Sequence, residues 1–241
     1  METGHAKNVA NFETIIIILT ALGVNYNPAQ ALILLPALQT KLTEAKAALD
    51  AVDAAEAEYA VKVDEIQAEM EGLYKWVVNL KRTVEVDIND AAFTRNIQTI
   101  VNRFNSDSRD TGLPDDPNTP DVDESRTARS TSQRSRDNQI AYVADILALI
   151  NTKRDQYTTT DAGYTLADIE AKLDRLNTKN NAARAAYAAR GNAYDNRDRV
   201  LYDKDTGVLK LVKLIKTQLA RKPGRQSAAY QQINALEFSK P

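Results

Sequence analysis

Apolar side chains recur every three or four residues through residues 8–104 and again through 137–241, with little Gly or Pro to interrupt them. That spacing places the apolar side chains on one face of a helix. Only VEVDI, Val84 to Ile88, alternates in the way a strand would. The chain is therefore expected to be all-α, a bundle with long Ala-rich helices. The first helix is expected over 8–22, stopped by Gly23 and the turn-forming Asn25 to Pro28. A long second helix starts between Ala29 and Leu34 and runs beyond Glu69; Pro36 is tolerable only in its first turn. Gly72 is expected to mark a kink, and Asn89 or Asp90 to cap a helix over 90–104. Further helices are expected over 137–154, 165–199, 206–221 and 227–236, the third capped by Asp205 or Thr206.

The two helical stretches also resemble one another. YNPAQALILLPALQTKL, Tyr26 to Leu42, matches YTTTDAGYTLADIEAKL, Tyr157 to Leu173, at an offset of 131 residues. The offset also sets Ile15 on Ile146, Ile18 on Leu149, Leu19 on Ile150, Leu38 on Ile169 and Asp64 on Asp195. From Val9 to Ile66 there are 12 identities in 58 positions, six of them Ala on Ala. The order of parts agrees too: a short apolar helix, a Tyr turn, a long Ala-rich helix. After a small shift, Ala91 to Phe93 matches Ala228 to Tyr230. The expectation is two related halves from an internal duplication, 1–104 and 137–241. The competing explanation is that Ala-rich helices align because they share a period.

Between the halves lies NSDSRDTGLPDDPNTPDVDESRTARSTSQRSR, residues 105–136, with almost no large apolar side chains. Such a segment buries too little surface to offset the entropy of ordering it, so a linker or long loop is expected. Its acidic part, Asp110 to Glu124, invites a calcium reading, but lacks the register of an EF-hand loop.

Composition excludes much chemistry. There is no Cys, which removes disulfides, thiolate metal sites and cysteine nucleophiles. His5 is the one histidine, expected in a frayed and solvated N-terminus, so triads and histidine metal centres are not supported. Neither G-x-x-x-x-G-K-[ST] nor G-x-G-x-x-G occurs. No cofactor or metal is implied, and no enzyme. The net charge of -2 argues against a chain built as a whole for nucleic acid. The longest apolar run, Ile15 to Val24, is ten residues against the roughly 20 a membrane span needs. The region before it is not basic, so a signal peptide is not supported either. A cytoplasmic location is expected, with export by a route lacking a recognisable signal left open.

The strongest charge feature is GVLKLVKLIKTQLARKPGR, Gly207 to Arg225, with Lys210, Lys213, Lys216, Arg221, Lys222 and Arg225 and no acid. A basic amphipathic helix suits an anionic membrane or nucleic acid, and it equally suits a bundle. The first half's long helix carries Glu58, Glu65 and Glu69. These opposite charges make a candidate interaction surface, within one chain or between copies. Glu65 and Glu69, interleaved with Lys62 and Lys75, read as a solvated helix face rather than a paired acid–base site.

Four C-terminal stretches, STSQRSRDNQI (Ser130 to Ile140), LADIEAKLDRLNTKNNA (Leu166 to Ala182), LYDKDTGVLKLVKLIK (Leu201 to Lys216) and SAAYQQINALEF (Ser227 to Phe238), resemble a poorly characterised all-helical family of Bacteroidetes-type bacteria. The resemblance implies a helical bundle and no site residues. Taken together, the expected role is a non-enzymatic scaffold acting through helix–helix contacts and self-assembling, or pairing with another protein. The alternative is a peripheral adaptor that binds membrane or nucleic acid through residues 207–225.

Overall fold

The helical period is realised almost throughout the computed structural model, which describes residues 3–105 and 135–240. Among the described residues eight α-helices follow in order: α1 (Thr3–Leu22), α2 (Leu35–Met70), α3 (Leu73–Ile88), α4 (Ala91–Asn105), α5 (Arg136–Asn151), α6 (Leu166–Tyr202), α7 (Val208–Leu219) and α8 (Ala228–Asn234). No strand occurs among the described residues. The strand-like Val84 to Ile88 forms the last turns of α3 instead. Leu73, Val77, Leu80, Val84 and Ile88 are all buried, at spacings of three and four. That longer stripe outweighs a five-residue alternation. The expected linker 105–136, with its acidic 110–124 and Ser/Arg-rich 126–136 stretches, lies outside the described residues apart from its two ends.

Helix boundaries have local causes. Pro36 falls in the first turn of α2, where its missing N–H costs nothing. α2 ends at Met70, and Gly72, whose φ of 69° is open to glycine at little cost, sets the break before α3. Asp90 caps α4 by accepting hydrogen bonds from the backbone N–H groups of Ala92 and Phe93. Ser135 and Ser227 cap α5 and α8. Thr165 and Asp168 form a reciprocal capping box at the start of α6.

The expected cap of α7 by Asp205 or Thr206 is corrected. Asp203 folds the preceding turn by accepting from the N–H groups of Asp205 and Thr206, and Gly207 occupies the cap position. A Cβ on Gly207 would lie 2.5 Å from the Asp203 nitrogen and 2.6 Å from its oxygen. Gly207→Ala is therefore expected to destabilise by more than about 1 kcal/mol, read from a urea titration.

The described chain forms two compact units, each drawing on both halves of the sequence. The first comprises Met1–Val61 and Ala185–Pro241, and the second Lys62–Arg184. In the first, α1 packs on α8, with Phe12, Ile15 and Leu19 in one cluster with Val208, Ile215 and Leu219. In the second, α4 packs on α3 and α5, and Val77, Leu80 and Ile97 share a core with Val143, Ile146 and Ile169. The long helices contribute to both: α2 divides at Val61 and α6 at Arg184.

α1 corrects an expectation. Gly4–Asn25 is long and apolar enough, by length and composition, to cross a membrane. The ten-residue run understated it, because Ala6, Val9, Ala10 and Phe12 extend the apolar stretch on its N-terminal side. Its Val9, Phe12, Ile15, Ile16 and Leu19 are buried in the first unit's core.

The Tyr turns are built alike. Tyr26 Oη donates to the Ile33 carbonyl at 2.7 Å, and Tyr157 Oη donates to the Tyr164 carbonyl at 2.5 Å. Each tyrosine is 7% exposed, and each bond reaches a residue seven positions further along the chain. Burial pushes the Tyr26 hydroxyl up to about 12. Burial, reinforced by the nearby carboxylates Asp87, Asp161 and Asp168, raises that of Tyr157 as well. Tyr26→Phe and Tyr157→Phe should each cost about 1 kcal/mol by leaving a carbonyl unpaired, measured by chemical denaturation.

Candidate interaction surface

The acidic residues of α2 do different jobs. Glu58 is exposed in the first unit. Glu65 pairs with Lys62 of its own helix at 2.8 Å, and that hydrogen bond holds its carboxyl below the usual range. Glu69, only 12% exposed in its side chain, meets three cations of α6: Lys172 at 2.8 Å, Arg175 at 3.2 Å and Lys179 at 3.5 Å. Lys172, Arg175 and Lys179 sit at i, i+3 and i+7, one face of a helix. That spacing is present in the sequence, overshadowed by the denser basic stretch of α7.

Burial alone would raise the Glu69 carboxyl, but hydrogen bonds from Lys172 and Arg175 reverse this and hold it below its ordinary value of 4.5. A depressed folded value means the cluster stabilises fully above the unfolded glutamate range. That stability is lost as pH falls through the lower folded value. Glu69→Gln should cost about 1–3 kcal/mol at neutral pH, with Lys172 the main partner because Arg175 is half-exposed and screened. The variant should also flatten the decline in stability below about pH 4.5, measured by denaturation across pH.

The basic residues of the candidate surface are likewise divided. Lys216 is half-buried, donating to the carbonyls of Asn234 at 3.3 Å and Leu236 at 3.1 Å, with its ammonium 5.9 Å from the centre of the Phe238 ring. Burial pushes its ammonium down. It closes the C-terminal end of α8, where a cation is favoured. Lys210 is half-buried, while Lys213, Arg221, Lys222 and Arg225 are exposed, the last three in or just after the wide turn Ala220–Gly224. The structure thus separates the nine residues: Glu69 and Lys216 serve packing, Glu65 pairs within its own helix, Lys210 is half-buried, and Glu58, Lys213, Arg221, Lys222 and Arg225 face outward.

His5 also departs from its expected place. It is half-buried, and its Nδ1 lies 2.6 Å from the Tyr202 hydroxyl. Beside it the buried Asn8 donates to the Tyr202 hydroxyl and to the Ser239 carbonyl, and accepts from the Ser239 N–H. The N-terminal helix is fastened to the C-terminal tail rather than frayed.

A different surface feature lies on the first unit. The Arg190 guanidinium lies 4.2 Å from the Tyr59 ring centre, 5.2 Å from Tyr187 and 6.0 Å from Tyr194. Tyr59 and Tyr187 are tilted at 60° with centroids 5.8 Å apart. Tyr194 Oη donates to Glu56 at 2.5 Å, and Arg197 lies 5.2 Å from the Tyr194 ring. Tyr187 is 60% exposed. Tyr and Arg are the side chains most enriched where proteins bind one another, and this cluster holds several in one place. The signal was legible as Tyr187, Arg190 and Tyr194 at i, i+3 and i+7 within an otherwise small-residue helix.

No cluster of His, Cys, Asp and Glu able to hold a metal ion occurs among the described residues. No protein-family model, curated protein or solved structure matches the chain.

Proposed function

We propose that this chain is a non-enzymatic scaffold that acts through helix–helix contacts and assembles with further copies of itself. The observation that carries the reading is the Tyr59–Tyr187–Arg190–Tyr194 cluster, half-exposed on two long helices. α2 and α6 have 36 and 37 residues, each about 55 Å of helix at 1.5 Å per residue. Buried Ala45, Ala48 and Val52 on α2 are small, as close helix packing requires. The repeated Tyr–carbonyl bonds, and the start of α2 at Leu35 and α6 at Leu166, support descent of the halves from one duplicated unit. Membership of the Bacteroidetes-type helical family and a cytoplasmic location belong to the same proposal.

The test is size-exclusion chromatography with light scattering over a concentration and salt series. An oligomer is expected, weakened at least about tenfold by Tyr187→Ala with Arg190→Ala. A monomer under every condition would overturn the reading.

A second reading, the peripheral adaptor, keeps a specific support in exposed Lys213, Arg221, Lys222 and Arg225. It predicts salt-sensitive co-sedimentation with anionic vesicles, or a salt-sensitive gel shift with nucleic acid, lost when these four are reversed to Glu. Lys216 is left out of that variant because its role is to close α8.

A further inference from the structure

We infer that the two sequence halves, 3–105 and 136–240, are each other's binding partners, so that a second copy of this chain can supply either half. The inference goes beyond the scaffold reading and does not depend on the Tyr–Arg cluster. It rests on what each unit is made of. In the first unit, α1 and the start of α2 come from the first half, and the end of α6, α7 and α8 from the second. In the second unit the roles are exchanged: α5 and the start of α6 come from the second half, and the end of α2, α3 and α4 from the first. Each half gives its opening helices to one unit and its closing helices to the other, the reciprocal pattern of a swapped dimer whose two chains have been joined.

The bonds that hold the units follow the same rule. Phe12 and Leu19 share a core with Ile215 and Leu219, and Leu80 and Ile97 share one with Ile146 and Ile169. Glu69 pairs with Lys172, Asp90 with Lys153, Asn8 with Ser239, and Trp76 Nε1 donates to the Gly163 carbonyl. Every one of these contacts joins a residue of one half to a residue of the other. Covalently the halves meet only through residues 106–135, a stretch that can span at most about 100 Å. Its flanking helices, α4 and α5, already pack together in the second unit. The tether raises the local concentration of a half's partner without making any of these contacts, so the choice between its own second half and another copy's is one of effective concentration.

The experiment uses the full chain carrying a protease site between residues 106 and 134. After cleavage, both fragments should elute together, as a particle of the same mass as the uncleaved chain under the same conditions. They should do so in about 1 M salt as well, where the screening length is about 3 Å and charge alone would not hold them. A cleaved preparation tagged on its second half is then unfolded and refolded together with an isotope-labelled one. Capture on the tag should recover labelled first half. Fragments that separate on cleavage would overturn the inference, and fragments that stay together but never exchange would overturn its second-copy part. Cohesive, exchanging fragments from a chain that stays monomeric when intact would sink the scaffold reading and leave this one standing.

Discussion

The architecture depends on apolar burial that crosses from one half of the sequence to the other. α1 has a full stripe, Val9, Phe12, Ile15, Ile16 and Leu19, and within the first unit it packs on α8 and shares a core with α7. α5 has the corresponding stripe, Val143, Ile146 and Ile150, in one core with α3 and α4. Burying one Ile or Leu is worth about 1.5–3 kcal/mol, which is large beside a net stability of roughly 5–15 kcal/mol. A half alone loses this cross-half cover and keeps only packing within itself, such as α3 on α4 or α7 on α8.

Polar contacts give this exchange its register rather than its main energy. Glu69 among Lys172, Arg175 and Lys179 is shielded enough for the pairing to count, yet it works only if α2 and α6 meet antiparallel at one offset. Asp90 does the same for α4: the hydrogen bond from Lys153, with those from the Phe93 and Ala92 N–H groups, holds its carboxyl at about 2. The Tyr26 and Tyr157 hydroxyls fix the sharp turns before the long helices by satisfying carbonyls that the chain reversal leaves unpaired. Near the termini, Asn8 makes three hydrogen bonds that a purely apolar stripe could not place.

Much of this was legible in the residues. Helix periods are local, so the α-helical class, Pro36 in a first turn, and Asp90 as a cap could be read directly. Val84 to Ile88 alternates like a strand yet is helical, because five residues are too few to separate period two from a buried i, i+4 stripe. The cap of α7 escaped because it depends on how closely Gly207 approaches the Asp203 backbone, which composition does not report. The surface was legible only in part. Counting charges singled out Lys216 and Glu69, and folding turned both inward. The Tyr–Arg cluster needs two helices brought together, and only its α6 half can be seen as a spacing. The reciprocal make-up of the units is a tertiary property: nothing in either half's sequence says whose helices will cover it.

The most direct measurement is native-state hydrogen exchange on an Ile215→Ala chain. Ile215 is fully buried in the first unit's core, in the second half of the sequence. If cores are shared across halves as described, protection should fall in α1, about 200 residues away in sequence, while α5 keeps its own. Loosening confined to residues 136–240, with α5 opening and α1 untouched, would contradict the account.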